Sequence, residues 1–125
     1  MKMGLKIHSI FENIDFENPD YSKLSDFEKN KVQKFVESGI LESVINVYKE
    51  YEFIYNKDNT EYHGIIDLLL EYEDEFKIVD YKLKGITDEA YIKQLNGYKE
   101  YIESISNKKV SIYLYSIIDE QLKKL

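Results

Sequence analysis

A chain of 125 residues, 43% apolar, with one proline, five glycines and no cysteine, is the size of one globular domain with room for a substantial core. The lack of cysteine excludes disulfide scaffolds, cysteine zinc sites, iron–sulfur clusters and thiol catalysis. Seventeen lysines, no arginine and 24 acids leave a net charge of −7, which excludes a bulk-charge nucleic-acid binder and any bidentate guanidinium reading of phosphate or guanine.

From Leu5 to Phe16, the residues Leu5, Ile7, Ile10, Phe11 and Ile14 recur at three- and four-residue steps, which predicts an amphipathic helix. Asn18-Pro19-Asp20 breaks it, because proline fixes its own φ and biases the preceding residue away from helix. Ser25 followed by Glu28 is a capping-box signature and predicts a second helix over Asp26 to Glu37, with Val32, Phe35 and Val36 inward. Ser38-Gly39 interrupts it, and Ile40, Leu41, Val44, Ile45 and Tyr48 predict a third helical stretch.

The pattern changes at Glu50. Tyr51, Phe53 and Tyr55 alternate as in a strand, and Asn56-Lys57-Asp58-Asn59 supplies turn residues. A second strand is expected over Tyr62 to Tyr72, a turn at Glu73-Asp74-Glu75, and a third strand over Phe76 to Leu83. Asp88 and Glu89 suit a helix N-terminus and open a helix to about Ser106; Val110 to Ile118 reads as a last strand, with Gln121 to Leu125 as a tail. The order is helices, three strands, one helix, one strand. It predicts a single α/β domain over 1–125, a mixed sheet of about four strands flanked by helices, with a helical region at 1–49 and a core at 50–118.

Two acids fall inside segments that should be buried, Asp67 within Ile65 to Leu70 and Asp80 after Phe76 to Val79. A tight turn centred between Glu73 and Asp74 pairs residues whose numbers sum to 147, and so sets Asp67 opposite Asp80 with Cβ atoms roughly 5 Å apart. Like charges so placed need a divalent metal, a lysine or a shared proton. Lys82, two residues beyond Asp80, shares its face in a strand. Carboxylate oxygens suit Mg²⁺ or Mn²⁺, and an adjacent ammonium suits phosphodiester hydrolysis. A structural ion pair between Lys82 and one aspartate is the other reading.

Gly64-Ile65-Ile66-Asp67, then Val79-Asp80-Tyr81-Lys82, then Tyr91-x-x-Gln94-Leu95-x-x-Tyr98 resembles the nuclease domain of the RecB and AddA family, within the PD-(D/E)XK superfamily. Upstream, Gly4-x-x-x-His8-x-x-x-Glu12 with Ile14-Asp15-Phe16 resembles that family's helical His motif, and Glu50-x-x-Phe53 its glutamate-bearing strand. The likeness runs over about residues 4–116. It implies a metal-dependent deoxyribonuclease in which Asp67, Asp80 and Lys82 are catalytic. His8, Asp67, Asp80 and the Tyr81 backbone carbonyl would hold Mg²⁺ or Mn²⁺, Gln94 and Tyr98 would position substrate, and Glu50 and Glu12 would be accessory. His63 has no place in the motif.

The resemblance also implies DNA end processing and recombinational repair beside a helicase, in the same polypeptide or as a separate subunit. The four-cysteine iron–sulfur staple of some relatives is absent, and no ATP-binding loop is present. The alternative is a catalytically silent nuclease-fold domain that docks on a helicase or repair partner, for which 12 tyrosines would suit an interface. The opening Met1-Lys2-Met3-Gly4 lacks a signal peptide's apolar segment, no apolar run approaches the roughly 20 residues of a membrane helix, and a cytoplasmic location is expected. Residues 1–81 hold nine lysines and 18 acids, a net of −9, and residues 82–125 hold eight lysines and six acids, a net of +2. Such a chain is expected to hold DNA loosely and with strong salt dependence.

Overall fold

The computed structural model describes residues 2–83 and 89–125. Helix α1, Lys2–Asn13, buries Ile7 and Phe11; the Leu5 side chain lies outside the described residues. Asp15 ends the helix by accepting from the Glu17 and Asn18 N–H groups, ahead of Pro19. Helix α2, Asp26–Glu37, starts on the expected box: Ser25 Oγ accepts from the Glu28 N–H at 3.2 Å and Glu28 Oε1 accepts from the Ser25 N–H at 2.9 Å. Ser25→Ala removes one half of that exchange and is expected to cost about 1 kcal/mol in urea unfolding.

The third helical stretch does not form. Gly39 and Ser43 take left-handed backbone, φ 85° and 65°, which a helix cannot absorb, and the Ile45 N–H donates to the Glu71 carbonyl at 2.7 Å. Ile40 is instead buried in a loop whose carbonyl accepts from the Tyr72 hydroxyl. Strand β1, Asn46–Lys57, therefore begins four residues ahead of Glu50, because its first residues find ladder partners in Leu69 to Glu71. The 1–49 and 50–118 boundary shifts accordingly.

Strand β2, Thr60–Glu71, returns through Asp58 and Asn59, both left-handed at φ 53° and 64°, the conformations of a two-residue type I′ hairpin. Strand β3, Glu75–Lys82, pairs antiparallel with β2 in the expected register, Leu68 against Val79 and Glu71 against Phe76. Helix α3, Glu89–Ile105, carries the chain across to β4, Lys109–Ser116, which runs parallel to β3. Asp88 lies outside the described residues. The expected tail is a fifth strand, β5, Gln121–Lys124: a turn with Glu120 at φ 55° folds it onto the open edge of β4, where Leu122 adds to the core.

The result is an α/β fold with one mixed sheet, order β1-β2-β3-β4-β5. Among the described residues it has five strands and three helices, and no helix is long and apolar enough to cross a membrane. One face packs Leu68, Leu70, Val79, Tyr81 and Tyr115 against Phe11 of α1 and Phe35 of α2. The other packs Ile66, Leu69, Ile78 and Leu114 against Leu95, Tyr98 and Ile102 of α3.

Side chains should alternate between these faces along a strand, and along β1 and β2 the alternation slips once. Val47 packs on the α1/α2 side, as does Lys49, whose Nζ lies 4.5 Å from the Phe16 ring centroid; yet Tyr51, Phe53 and Tyr55, of the same parity, pack on the α3 side. In β2, Leu68 and Ile66 part in the same way. The slip falls on Glu50, at φ 48°, and on Asp67, which the flanking pairs Lys49–Leu68 and Tyr51–Ile66 place opposite it.

Candidate functional site

The β2–β3 ladder ends at Leu68 and Val79, so the next residues on each strand, Asp67 and Asp80, face each other where the strands part. Asp67 Oδ2 fills the gap left by the ladder and accepts from the Tyr81 N–H at 3.0 Å. The Lys82 carbonyl accepts from the Ile117 N–H beyond β4, so the preceding residue, Tyr81, turns its N–H and carbonyl toward β2 and the two aspartates.

Asp80 is pushed up to about 8, by burial first and then by the Asp67 charge, with Lys82 pulling the other way. Lys82 Nζ stands 3.8 Å from Asp80 Oδ2 and 3.6 Å from the Tyr91 ring centroid. Its ammonium is thus steered by an aromatic face of α3 as well as by the aspartate.

Helix α1 closes the site from the other side of the sheet. His8 Nε2 lies 3.4 Å from Asp67 Oδ2 and His8 Nδ1 2.7 Å from Glu12 Oε1; one helical turn separates His8 and Glu12, which sets them on one face. Hydrogen bonding to Asp67 raises His8 to about 9 against the opposing effect of burial. The edge of the Tyr81 ring supports the imidazole, centroids 5.7 Å apart. The slip in β1 turns Glu50 toward this group, where burial, then a hydrogen bond with Glu12, lifts it to about 7. Glu50 Oε1 is buried with no hydrogen-bond partner among the described residues.

His8, Asp67, Asp80 and Lys82, predicted from sequence, thus stand together, with the Tyr81 backbone between them. Glu12 and Glu50, read as accessory, lie closer in than that: with His8 they present ligand atoms within 4.8 Å of one another. Tyr98 is buried on α3. Gln94 is exposed on the same helix, and no hydrogen bond ties it to the carboxylates among the described residues. His63 pairs with Glu61 at 3.0 Å on the exposed hairpin, outside the site. Tyr91 opens the Tyr91-x-x-Gln94-Leu95-x-x-Tyr98 motif but carries no assigned role there; its three- and seven-residue spacings to Gln94 and Tyr98 place all three on one helical face.

This donor set has carboxylate oxygens, one imidazole and a buried carboxylate oxygen lacking a donor, which is what a hard divalent cation requires. Without such a cation the cluster holds itself together with protons. His8, raised from 6.5 to about 9, contributes stability present below pH 6.5 that is lost as pH rises toward 9. Asp80, raised from 3.8 to about 8, contributes in the same direction between those values. In a chelator the melting temperature is expected to fall between about pH 6 and pH 9, and added Mn²⁺ to restore it, most strongly at the alkaline end. Thermal melts across that range check this; a flat profile would contradict the geometry.

No family model matches the chain. It is similar to an ATP-dependent helicase/nuclease subunit of Clostridium acetobutylicum, 33% identical, with 69% of this chain and 9% of the relative covered. The like-named protein of Clostridium beijerinckii is 34% identical, covering 65% and 7%, and that of Ligilactobacillus salivarius is 50% identical over 54 residues, covering 39% and 4%. The chain spans less than a tenth of the length of these curated relatives, and the similarity marks it as a region related to part of such helicase/nuclease proteins.

Proposed function

We propose that this chain is a PD-(D/E)XK-type nuclease domain, spanning 1–125, that hydrolyses DNA phosphodiester bonds with Mg²⁺ or Mn²⁺. One observation carries the reading: Asp67, Asp80 and Lys82 converge where β2 and β3 part, with His8 of α1 against Asp67. His8, Asp67, Asp80 and the Tyr81 carbonyl would hold the cation, with Glu12 and Glu50 beside them. The cation would supply positive charge against the scissile phosphate. Lys82 would orient the attacking water by hydrogen bond and offset charge developing on the phosphate oxygens. Gln94 and Tyr98 would hold the strand along α3.

The likeness to helicase/nuclease proteins supports DNA as substrate and a helicase as partner, in the same polypeptide or beside it, in the cytoplasm. The net charge of −7 agrees with a domain that keeps its substrate through a partner rather than by its own field. The test is incubation of the chain with single- and double-stranded DNA in Mg²⁺, Mn²⁺ or chelator, with Asp80→Asn in parallel. Metal-dependent cleavage lost in Asp80→Asn is expected; cleavage that survives either chelation or the substitution would refute the assignment.

A further inference from the structure

The far end of the β1–β2 hairpin does not belong to the metal cluster. There an aromatic ladder runs outward from the second core: Phe53 stacks on Tyr101 with centroids 4.4 Å apart and planes at 11°, Tyr55 follows Phe53 at 5.7 Å, and Tyr62 stacks on Tyr55 at 5.1 Å and 17°. Tyr62 ends the ladder with 42% of its surface exposed. Beside it a groove of about 670 Å³ opens between the hairpin and α3, lined by Tyr55, Tyr62, Lys93, Gln94, Gly97 and Tyr98 among others. Gly97 lets the Tyr55 hydroxyl approach α3 here, since a Cβ there would stand 3.0 Å from it.

Charge around the groove is largely paired within the protein. Lys57 meets Glu100 at 3.0 Å and His63 meets Glu61 at 3.0 Å. Lys93 is exposed and has no ion pair among the described residues. Asp58, also exposed in the lining, has no ion pair among the described residues either, so the spare charges cancel; an open aromatic face of that kind is a poor phosphate trap and a good platform for a planar ring. The groove runs beside α3: Tyr98 and Gln94 line it, and Tyr91, on the same face of that helix, lies under the Lys82 ammonium of the candidate active site.

We infer that the outer face of Tyr62, backed by Tyr55, takes one unpaired nucleobase of a single strand, with Lys93 near its phosphate, so that the strand runs along α3 toward Asp67 and Asp80. The inference rests on the nuclease reading for its direction along α3, but the stacking subsite itself can be tested without cleavage. A base already paired in a duplex has no free face for Tyr62, so the subsite selects single strands. Deoxyribose and ribose strands present the same ring, and the test includes both.

Binding of a fluorescein-labelled thymidine oligonucleotide is followed by anisotropy with Ca²⁺ in place of Mg²⁺. Tyr62→Ala is expected to weaken binding by about tenfold, a base-on-aromatic stacking loss, while Tyr62→Phe retains it. An oligomer with abasic positions is expected to bind the unsubstituted chain as weakly as the intact oligomer binds Tyr62→Ala. Tyr62 is exposed, so circular dichroism of the alanine variant should match the parent. Unchanged affinity in Tyr62→Ala, equal binding of the abasic strand, or equal binding of duplex would overturn the subsite; binding of both the deoxy and the ribo oligomer through Tyr62 supports it, as does binding of either one. If Asp80→Asn abolishes cleavage while Tyr62→Ala binds normally, the subsite falls and the nuclease reading stands. If the parent never cleaves yet Tyr62→Ala loses binding, the reverse holds.

Discussion

Replacing Lys82 with alanine is expected to leave divalent-ion binding intact while lowering DNA cleavage by about 10²- to 10³-fold, the usual range for removing one preorganised donor aimed at developing charge. The separation follows from geometry. Lys82 touches Asp80 only at 3.8 Å and is seated on Tyr91, so its removal strips no ligand from the cluster. Asp80→Asn, by contrast, takes one charge from the ligand set and should lose both ion binding and cleavage. The comparison belongs at about pH 9, because Lys82 holds the Asp80 carboxyl down. At neutral pH the alanine variant would retain the Asp80 proton more tightly and so mimic a lost ligand. Calorimetric titration with Mn²⁺ and a gel-based cleavage assay read the two quantities separately. Equal loss of both in Lys82→Ala would make the lysine structural, and a parent chain that binds no ion would favour the silent docking domain instead.

Phe35→Ala has the largest expected effect on stability, about 3–5 kcal/mol, a large part of the roughly 5–15 kcal/mol that holds a domain together. Phe35 is fully buried and its ring meets Phe11 at 5.7 Å, Phe16 at 5.0 Å, Tyr81 at 5.8 Å and Tyr115 at 4.8 Å. No neighbour can move into the void without abandoning one of the others. Tyr81 is also the residue whose N–H fixes Asp67, so the damage should reach the site. A melting temperature lowered by more than 10 °C or so, with Mn²⁺ affinity reduced below it and partly recovered in Phe35→Leu, is the expected outcome. A loss of only a few degrees would mean that the aromatic cluster is loosely packed.

What the sequence revealed depended on how local the determining physics is. The capping box and the two turns are short-range chemistry, and each stands where Ser25, Asp58-Asn59 and Glu73-Asp74 put it. The turn alone sets Asp67 across from Asp80, since register follows from turn length. Ile40 to Tyr48 misled because apolar spacing reports burial as well as helix; two left-handed residues and a partner strand decided the outcome. The tail became β5 because an open strand edge far away in sequence was there to pair with. Whether Glu50 or Glu52 faces the site could not be settled by counting alternate residues, since the alternation itself breaks at Glu50 and leaves Glu52 exposed.

That break divides labour along one hairpin. On its inner side β1 and β2 are anchored to α1 and α2, and α1 delivers His8 and Glu12; on its outer side the same two strands pack against α3 and carry Tyr55 and Tyr62. The candidate metal residues thus lie where two clusters of buried side chains, one on each face of the sheet, meet along this hairpin. On the proposed reading, substitutions at Tyr55 or Tyr62 would change how a strand is gripped without touching His8, Glu12 or Asp67, and α1 could be tuned for a cation without touching the grip.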